Sequence, residues 1–216
     1  MEQIQDIVFL GGGTAFLEIK ELIDDINENK PTYKVIAILD DNPDLHGTFI
    51  GGFRIEGPLS KAADYPDAKF VFGIGSMKTR AIRLEIIHRL GIQIERFVTL
   101  IHPHTKIYKS AQIGHGCIIH YGSIVGANVV LGNFNIITFN SVIGENVQTG
   151  EGTMIANGVV ILGGTKIGSR VFIGTGSRIA NSMSIGDDSF IGMGSVIIKN
   201  IAPNLKVFGN PPRTIP

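Results

Sequence analysis

The sequence predicts a small α/β domain of the Rossmann-like kind followed by a left-handed parallel β-helix built of hexapeptide repeats. Three observations carry that prediction. An aliphatic residue recurs every six positions through the second half of the chain, glycine is abundant at 28 of 216 residues, and the first hundred residues run in the order strand, glycine turn, helix, strand, acid.

The repeat is the most specific of the three. Steps of six from Ile107 reach Ile113, Ile119, Val125, Leu131, Ile137, Ile143, Thr149, Ile155, Ile161, Ile167, Ile173, Ile179, Ile185, Ile191 and Ile197; only Thr149 is not Ile, Val or Leu. Four residues beyond each comes a second row: Cys117, Ser123, Val129, Asn135, Ser141, Val147, Thr153, Val159, Thr165, Val171, Ser177, Met183, Ser189 and Ser195, small or β-branched in the main. A strand repeats every two residues and a helix every 3.6, so a period of six belongs to neither alone. It fits a coil of three short strands, one hexapeptide to each flat face. The aliphatic residue then fills the prism, and the second-row residue packs near a corner. Glycines that follow the aliphatic position, such as Gly114, Gly126 and Gly144, relieve the turn. At an inter-strand spacing of about 4.8 Å, five coils make a prism about 24 Å tall. The register holds from 107 to 197, so no long loop leaves it.

Residues 1–100 form the first expected domain and 101–216 the second. In the first, the apolar strand Ile7–Leu10 leads into Gly11-Gly12-Gly13 and an amphipathic helix with Phe16, Ile19, Ile23 and Ile26 on one face. A second strand, Lys34–Leu39, ends in Asp40-Asp41. A third, Lys69–Ile74, runs into Gly75-Ser76-Met77-Lys78, then a helix over about 77–90 and a strand near Glu95–Leu100. This is the order of a βαβ nucleotide-binding unit. Glycines let the backbone approach a diphosphate at a helix N-terminus, where free N–H groups favour anions. The acidic pair offers acceptors to a base or ribose. Gly11–Gly13 lacks the full G-x-G-x-x-G spacing, and a helix merely entered by a glycine turn is the competing reading.

Composition narrows the partners. Lys+Arg and Asp+Glu both number 19, so no basic excess points to nucleic acid. Cys117 stands alone and forms no internal disulfide, as expected of a reducing, cytoplasmic setting. No run approaches the roughly 20 apolar residues of a membrane span, and no cluster has metal-ligand spacing.

The repeat region resembles the hexapeptide-repeat acyltransferases, and Val207-Phe208-Gly209-Asn210-Pro211-Pro212-Arg213 is similar to their "V-x-G-N-P-A-K/R" ending. Together the two halves resemble the sugar acyltransferase family of sialic-acid O-acetyltransferases and UDP-amino-sugar N-acetyltransferases of the bacillosamine kind. That family carries a "G-A-G/S-G-H-G/A" turn and "L-D-D-N/D" and "A-I-G-N-N" strand ends. This chain has Gly11-Gly12-Gly13-Thr14-Ala15-Phe16, Leu39-Asp40-Asp41-Asn42 and Gly73-Ile74-Gly75-Ser76-Met77. The resemblance implies a homotrimer with active sites between prisms. It also implies a UDP-sugar at Gly11, Gly12, Gly13, Asp40, Asp41, Gly75, Ser76 and Lys78. Acetyl-CoA would lie along Met154, Gly163, Thr175, Gly176, Met193 and Gly194, with Gly209 and Pro211 at its adenine end.

One departure matters. The family's histidine base and acidic partner align with Glu145 and Asn146, and its second histidine with Met154. Three readings follow: Glu145 is the general base, a neutral sugar amine needs no protein base, or the chain binds its ligands without turnover. Desolvation of a carboxylate between prisms would improve it as a base near neutral pH. The first two readings favour N-acetylation, because a hydroxyl must lose its proton during attack; O-acylation and a silent scaffold stay as alternatives. His102 and His104 read as structural, and His115 and His120 as outward-facing residues of the first coils.

Overall fold

The computed structural model describes residues 4–75, 79 and 82–215. The chain divides into two compact units, one ending at Pro103 and one beginning at His104.

The first unit is a five-stranded sheet, β1 (Gln5–Leu10), β2 (Tyr33–Leu39), β3 (Phe49–Ile50), β4 (Phe53–Gly57) and β5 (Lys69–Phe72), in the order β3-β4-β2-β1-β5. All pairs are parallel except the β3–β4 hairpin. The run Ile7–Leu10 in β1 is wholly buried, the burial expected of a continuous apolar strand inside a parallel sheet. Helix α1 (Ala15–Asn29) buries Phe16, Ile19, Leu22 and Ile23, and Phe16 meets the rings of Phe9 and Phe53 edge-on at 4.9 and 5.6 Å. Helix α2 (Arg83–Leu90) ends at Gly91, whose φ of +61° is the left-handed C-cap that glycine adopts freely.

Two expectations change here. A hairpin at 49–57 adds to the expected strands, and Gly51-Gly52, both with positive φ, is the dipeptide such a two-residue turn demands. The strand expected near Glu95–Leu100 is instead a 3₁₀ turn over Ile94–Arg96 with a single bridge from Phe97 to Phe70. Arg96 explains the difference: its guanidinium donates to the carbonyls of Tyr65 and Ala68 at 2.6 and 2.7 Å and turns the chain against the sheet edge.

The second unit is the predicted prism. Its first face stacks Lys106–Ile107, Ile124–Val125, Val142–Ile143, Val160–Ile161, Arg178–Ile179 and Val196–Ile197. Its second stacks Gln112–Ile113, Val130–Leu131, Gln148–Thr149, Lys166–Ile167 and Ser184–Ile185. The third runs from Ile118–Ile119 through Ile136–Ile137, Met154–Ile155, Phe172–Ile173 and Phe190–Ile191 to Lys206–Phe208, with Arg213–Ile215 added antiparallel. Partners are eighteen residues apart up to Ile197, as Val142 with Val160, and sixteen at the last step, as Phe190 with Lys206. The aliphatic row from Ile119 to Ile197 is buried throughout.

The second row does more than stay small. Ser123, Ser141, Thr153, Thr165 and Ser177 each donate a hydroxyl to the carbonyl fifteen residues on, at 2.8–3.1 Å. Those bonds satisfy corner carbonyls of the next coil that the strand ladder leaves out.

The role given to the glycines needs correction. Gly126, Gly144 and Gly174 do not have positive φ; a Cβ on Gly144 would lie 2.8 Å from Gly163 N and one on Gly174 2.5 Å from Met193 N. Glycine is required there because coils approach closely. The left-handed turn lies two residues later, at 116, 122, 128, 134 and every sixth position to 194, where φ is +55° to +73°. Gly, Asn, Ser, Asp, Phe and Arg all occupy it.

Candidate functional site

In the first unit the glycine turn is fastened to the end of β2. Gly12 N–H donates to Asp40 Oδ2 at 2.6 Å and Asn42 N–H to Asp40 Oδ1 at 2.8 Å, so one carboxylate joins two loops. Asp41 accepts from Leu59 N–H at 2.9 Å and pairs with Arg89 at 2.6 Å. It also lines a cavity of about 730 Å³ with Leu59, Ala62, Leu90 and Arg96. Gly11, φ +117°, faces Ile74, where a Cβ would come within 2.8 Å of Cγ1. A side chain on Gly12 would strike Ile55, whereas Gly13 is open. The turn therefore presents bare backbone at Gly13, beside Thr14 at the head of α1. Of the sequence candidates, Gly11, Gly12, Gly13, Asp40 and Asp41 are brought together, with Gly75 one residue beyond Ile74. Ser76, Met77 and Lys78 lie outside the described residues.

In the second unit the candidates divide between two edges of the prism. Glu145, Asn146 and Gly163 share the corner between the first and second faces. Asn146 takes the left-handed turn at φ +57°, and its Oδ1 accepts from Asn128 Nδ2 at 3.2 Å. That turn aims Glu145 outward. Its exposed carboxylate has no hydrogen-bond or ion-pair partner among the described residues and rests over Gly163, where a Cβ would lie 2.3 Å from Oε1. Exposed Leu162 lies beside them.

Thr175, Gly176, Met193 and Gly194 lie on the corner between the third and first faces, with Met154 in the third face. Gly209 tops the same edge: its N–H donates to Ser195 Oγ at 3.0 Å and its carbonyl accepts from Val196 N–H. Pro211 follows in the turn before Arg213. At Gly158, Gly176 and Gly194 a Cβ would meet nothing within 4 Å. These three positions present open backbone on the edge. Met193, 74% exposed, stands beside this lane of glycines, as does Arg178, whose Nη1 donates to the carbonyls of Gly158 and Gly176 at 2.8 and 2.9 Å.

The histidines take other parts. His102 is buried and its Nε2 lies 2.8 Å from Asp25 Oδ2 on α1. His104 packs edge-on against Tyr121. His120 does not face solvent as expected: it is 3% exposed, 4.8 Å from the ring of Phe139. Among the described residues, no group of three or more His, Cys, Asp or Glu is arranged to hold a metal ion, and no helix is long and apolar enough to cross a membrane.

Residues 146–181 match the family described as bacterial transferase hexapeptide (six repeats). A 121-residue stretch is 32% identical to UDP-N-acetylbacillosamine N-acetyltransferase of Bacillus subtilis (strain 168); it takes in 54% of this chain and about half of the relative, 51%. A mutant of perosamine N-acetyltransferase from Caulobacter crescentus, in complex with CoA and GDP-perosamine, superposes with a TM-score of 0.84 at 22% identity over 99% of this chain and 98% of its own. The acetyltransferase domain of PglB from Neisseria gonorrhoeae FA1090 does so at 0.84 and 24% identity, over 98% and 100%. The two-part fold expected from the residues is the fold these proteins share.

Proposed function

We propose that the chain is an acetyl-CoA-dependent N-acetyltransferase acting on the amino group of a UDP-linked amino-deoxy sugar, of the bacillosamine-precursor kind, in surface glycan synthesis. The observation that carries this reading is the free carboxylate of Glu145 poised over the backbone of Gly163. The partial similarity to a UDP-sugar N-acetyltransferase supports the acceptor class. Both cosubstrates are cytoplasmic, and the reaction is assigned there.

The chemistry follows from the acceptor. A neutral amine nitrogen attacks the thioester carbonyl, forming the C–N bond. The proton it sheds passes to Glu145, collapse of the tetrahedral adduct breaks the C–S bond, and the departing thiolate takes that proton from Glu145 to leave as the thiol. General-base assistance of this kind contributes about 10²–10⁴-fold, and the rest comes from holding the two reactants together. Asn146 serves as a positioning residue, its turn setting the direction of Glu145. The glycine turn and Asp40–Asp41 hold the nucleotide.

The distribution of outward side chains supports a homotrimer. Met154, Phe172 and Phe190 line the third face, where Ile118 and Ile136 are already buried within the chain, and Ile124, Val142, Val160 and Val196 the first, together with Lys106 and Arg178, whereas the second carries Gln112, Val130, Gln148, Lys166 and Ser184. Two mainly apolar faces and one mainly polar face suit a ring in which the first face of one copy packs on the third face of the next. Glu145 and the glycine lane lie on opposite edges of the first face, so a neighbouring copy would complete each site.

Purified protein incubated with acetyl-CoA and UDP-4-amino-sugars should release thiol and form the amide. The corresponding hydroxyl sugars should react far more slowly. Tight binding of both ligands with no thiol release from any amine would identify a silent scaffold instead.

A further inference from the structure

The four carboxylate oxygens at the end of β2 are all taken by the protein's own donors. Asp40 accepts from the N–H groups of Gly12 and Asn42, and Asp41 from Leu59 N–H at 2.9 Å and Arg89 Nη2 at 2.6 Å. The acidic pair therefore does not stand ready to accept from a ribose or a base. What it leaves available is a donor: beyond that one bond, the N–H groups of Arg89 meet no acceptor among the described residues. The ion pair is no staple of the fold, because its partners are 63% and 47% exposed and such pairs add little stability. Its effect is to fix where a planar guanidinium sits before any ligand arrives.

Arg89 and Asp41 both line the cavity of about 730 Å³. One wall is the 3₁₀ helix Leu59–Asp64 and the turn after it, which contribute Leu59, Ala62, Ala63 and Pro66. Leu90 and Ile92, at the end of α2 and just beyond it, form the other. Apolar walls with a few placed polar groups suit a flat ring, whereas a diphosphate belongs on the bare backbone at Gly13. Arg96 lines the cavity too, but its Nε and Nη2 are committed to the carbonyls of Ala68 and Tyr65 and its plane lies over Phe70. Arg89 keeps more donors free and stands at the acidic pair itself. The glycine turn is tied to Asp40, and the cavity begins at Asp41, the next residue. A nucleotide with its diphosphate at the turn thus sends its base into the cavity far edge first, and in uracil that edge carries O4. We infer that Arg89 donates to this ring carbonyl and makes the site selective for a base with an oxo group there over one with an amino group. Asp41 is a positioning residue for Arg89. The inference rests on the proposed reading of the first unit as the nucleotide site and names the residue that reads the base.

The test is calorimetric titration with UDP and with CDP, in which an amino group replaces O4. The wild-type protein should bind UDP about tenfold or more tighter than CDP, the worth of one hydrogen bond from a charged donor. Arg89→Gln should bring the two affinities together, chiefly by weakening UDP. Arg89→Lys should keep part of the preference, and Asp41→Asn should reduce it. Equal affinities in the wild-type protein, or a preference that survives Arg89→Gln, overturns the assignment; a preference untouched by Asp41→Asn overturns the role given to Asp41. Should Arg89→Gln not fold, 4-thio-UDP titrated into the wild-type protein decides. Sulfur is a weak acceptor, so this analogue should bind several-fold more weakly than UDP, and equal binding overturns the contact. A wild-type protein that binds neither diphosphate would instead refute the nucleotide reading of the first unit.

Discussion

Asn135 Nδ2 lies 2.8 Å from Thr149 Oγ1, and both side chains are buried inside the prism. Thr149 is the single polar break in the aliphatic row, and Asn135 is the amide in the second row that answers it. The same nitrogen also reaches the carbonyls of Gly132 and Gly150 at 2.9 and 3.0 Å, while Oδ1 accepts from Thr153 N–H at 2.8 Å. Two departures from the repeat are therefore one feature. Asn135→Ala should lower unfolding stability by about 2–3 kcal/mol, since it strands buried acceptors. Thr149→Val should cost about 1 kcal/mol, and a double-mutant cycle in urea should show coupling of about 1 kcal/mol. Additive losses would mean that the pair does not act together.

At the first–second corner, Gly163 has an ordinary φ, and the atoms nearest a Cβ there are the carboxylate of Glu145 and its carbonyl oxygen at 3.1 Å. Gly163→Ala should push that carboxylate aside, lowering kcat about tenfold or more while the melting temperature changes little. Glu145→Gln should lower kcat by about 10²–10⁴ with acetyl-CoA affinity retained. An unchanged rate in Glu145→Gln would show that the amine needs no protein base.

Two kinds of corner glycine should respond differently. Gly174→Ala drives a methyl into the backbone of Gly192 and Met193 and should cost about 3 kcal/mol. Gly158→Ala meets open space and bears only the left-handed backbone, about 1 kcal/mol. Gly158→Asn should be close to neutral, because asparagine visits that conformation readily. Thermal denaturation ranks the three.

Asp40 ties the glycine turn to the end of β2 through two backbone donors. Asp40→Ala should cost about 1–3 kcal/mol and weaken UDP-sugar binding, and Asp40→Asn should restore part of both. Calorimetric titration with UDP checks the second effect; full UDP affinity in Asp40→Ala would separate the turn from the nucleotide.

The prism was legible because its core is one-dimensional: each aliphatic residue from Ile119 to Ile197 faces inward for the same reason, and one register predicts them all. The left-handed turn was harder to see. Gly, Asn or Asp fills eleven of its fourteen positions, but Phe134, Arg170 and Ser182 interrupt the row, and the glycines directly after the aliphatic residue form a competing one. In the first unit Gly51-Gly52 announced a hairpin, but the flanking strands are too short to show alternation. The burial of His120 depends on Phe139, nineteen positions away on the next coil, and no local pattern reveals it. The free carboxylate of Glu145 depends likewise on Gly163, eighteen residues on.

Because strands pair with those eighteen residues away, length itself is quantised in this half of the chain. Excising eighteen consecutive residues would shorten the column by one storey, about 4.8 Å, and leave every inward methyl above another. Excising six would keep the hexad rhythm yet rotate all later segments by one wall, carrying the Gly176–Gly194 edge away from Gly158. Natural drift in such a protein should therefore proceed by whole storeys or by substitution, and seldom by anything between.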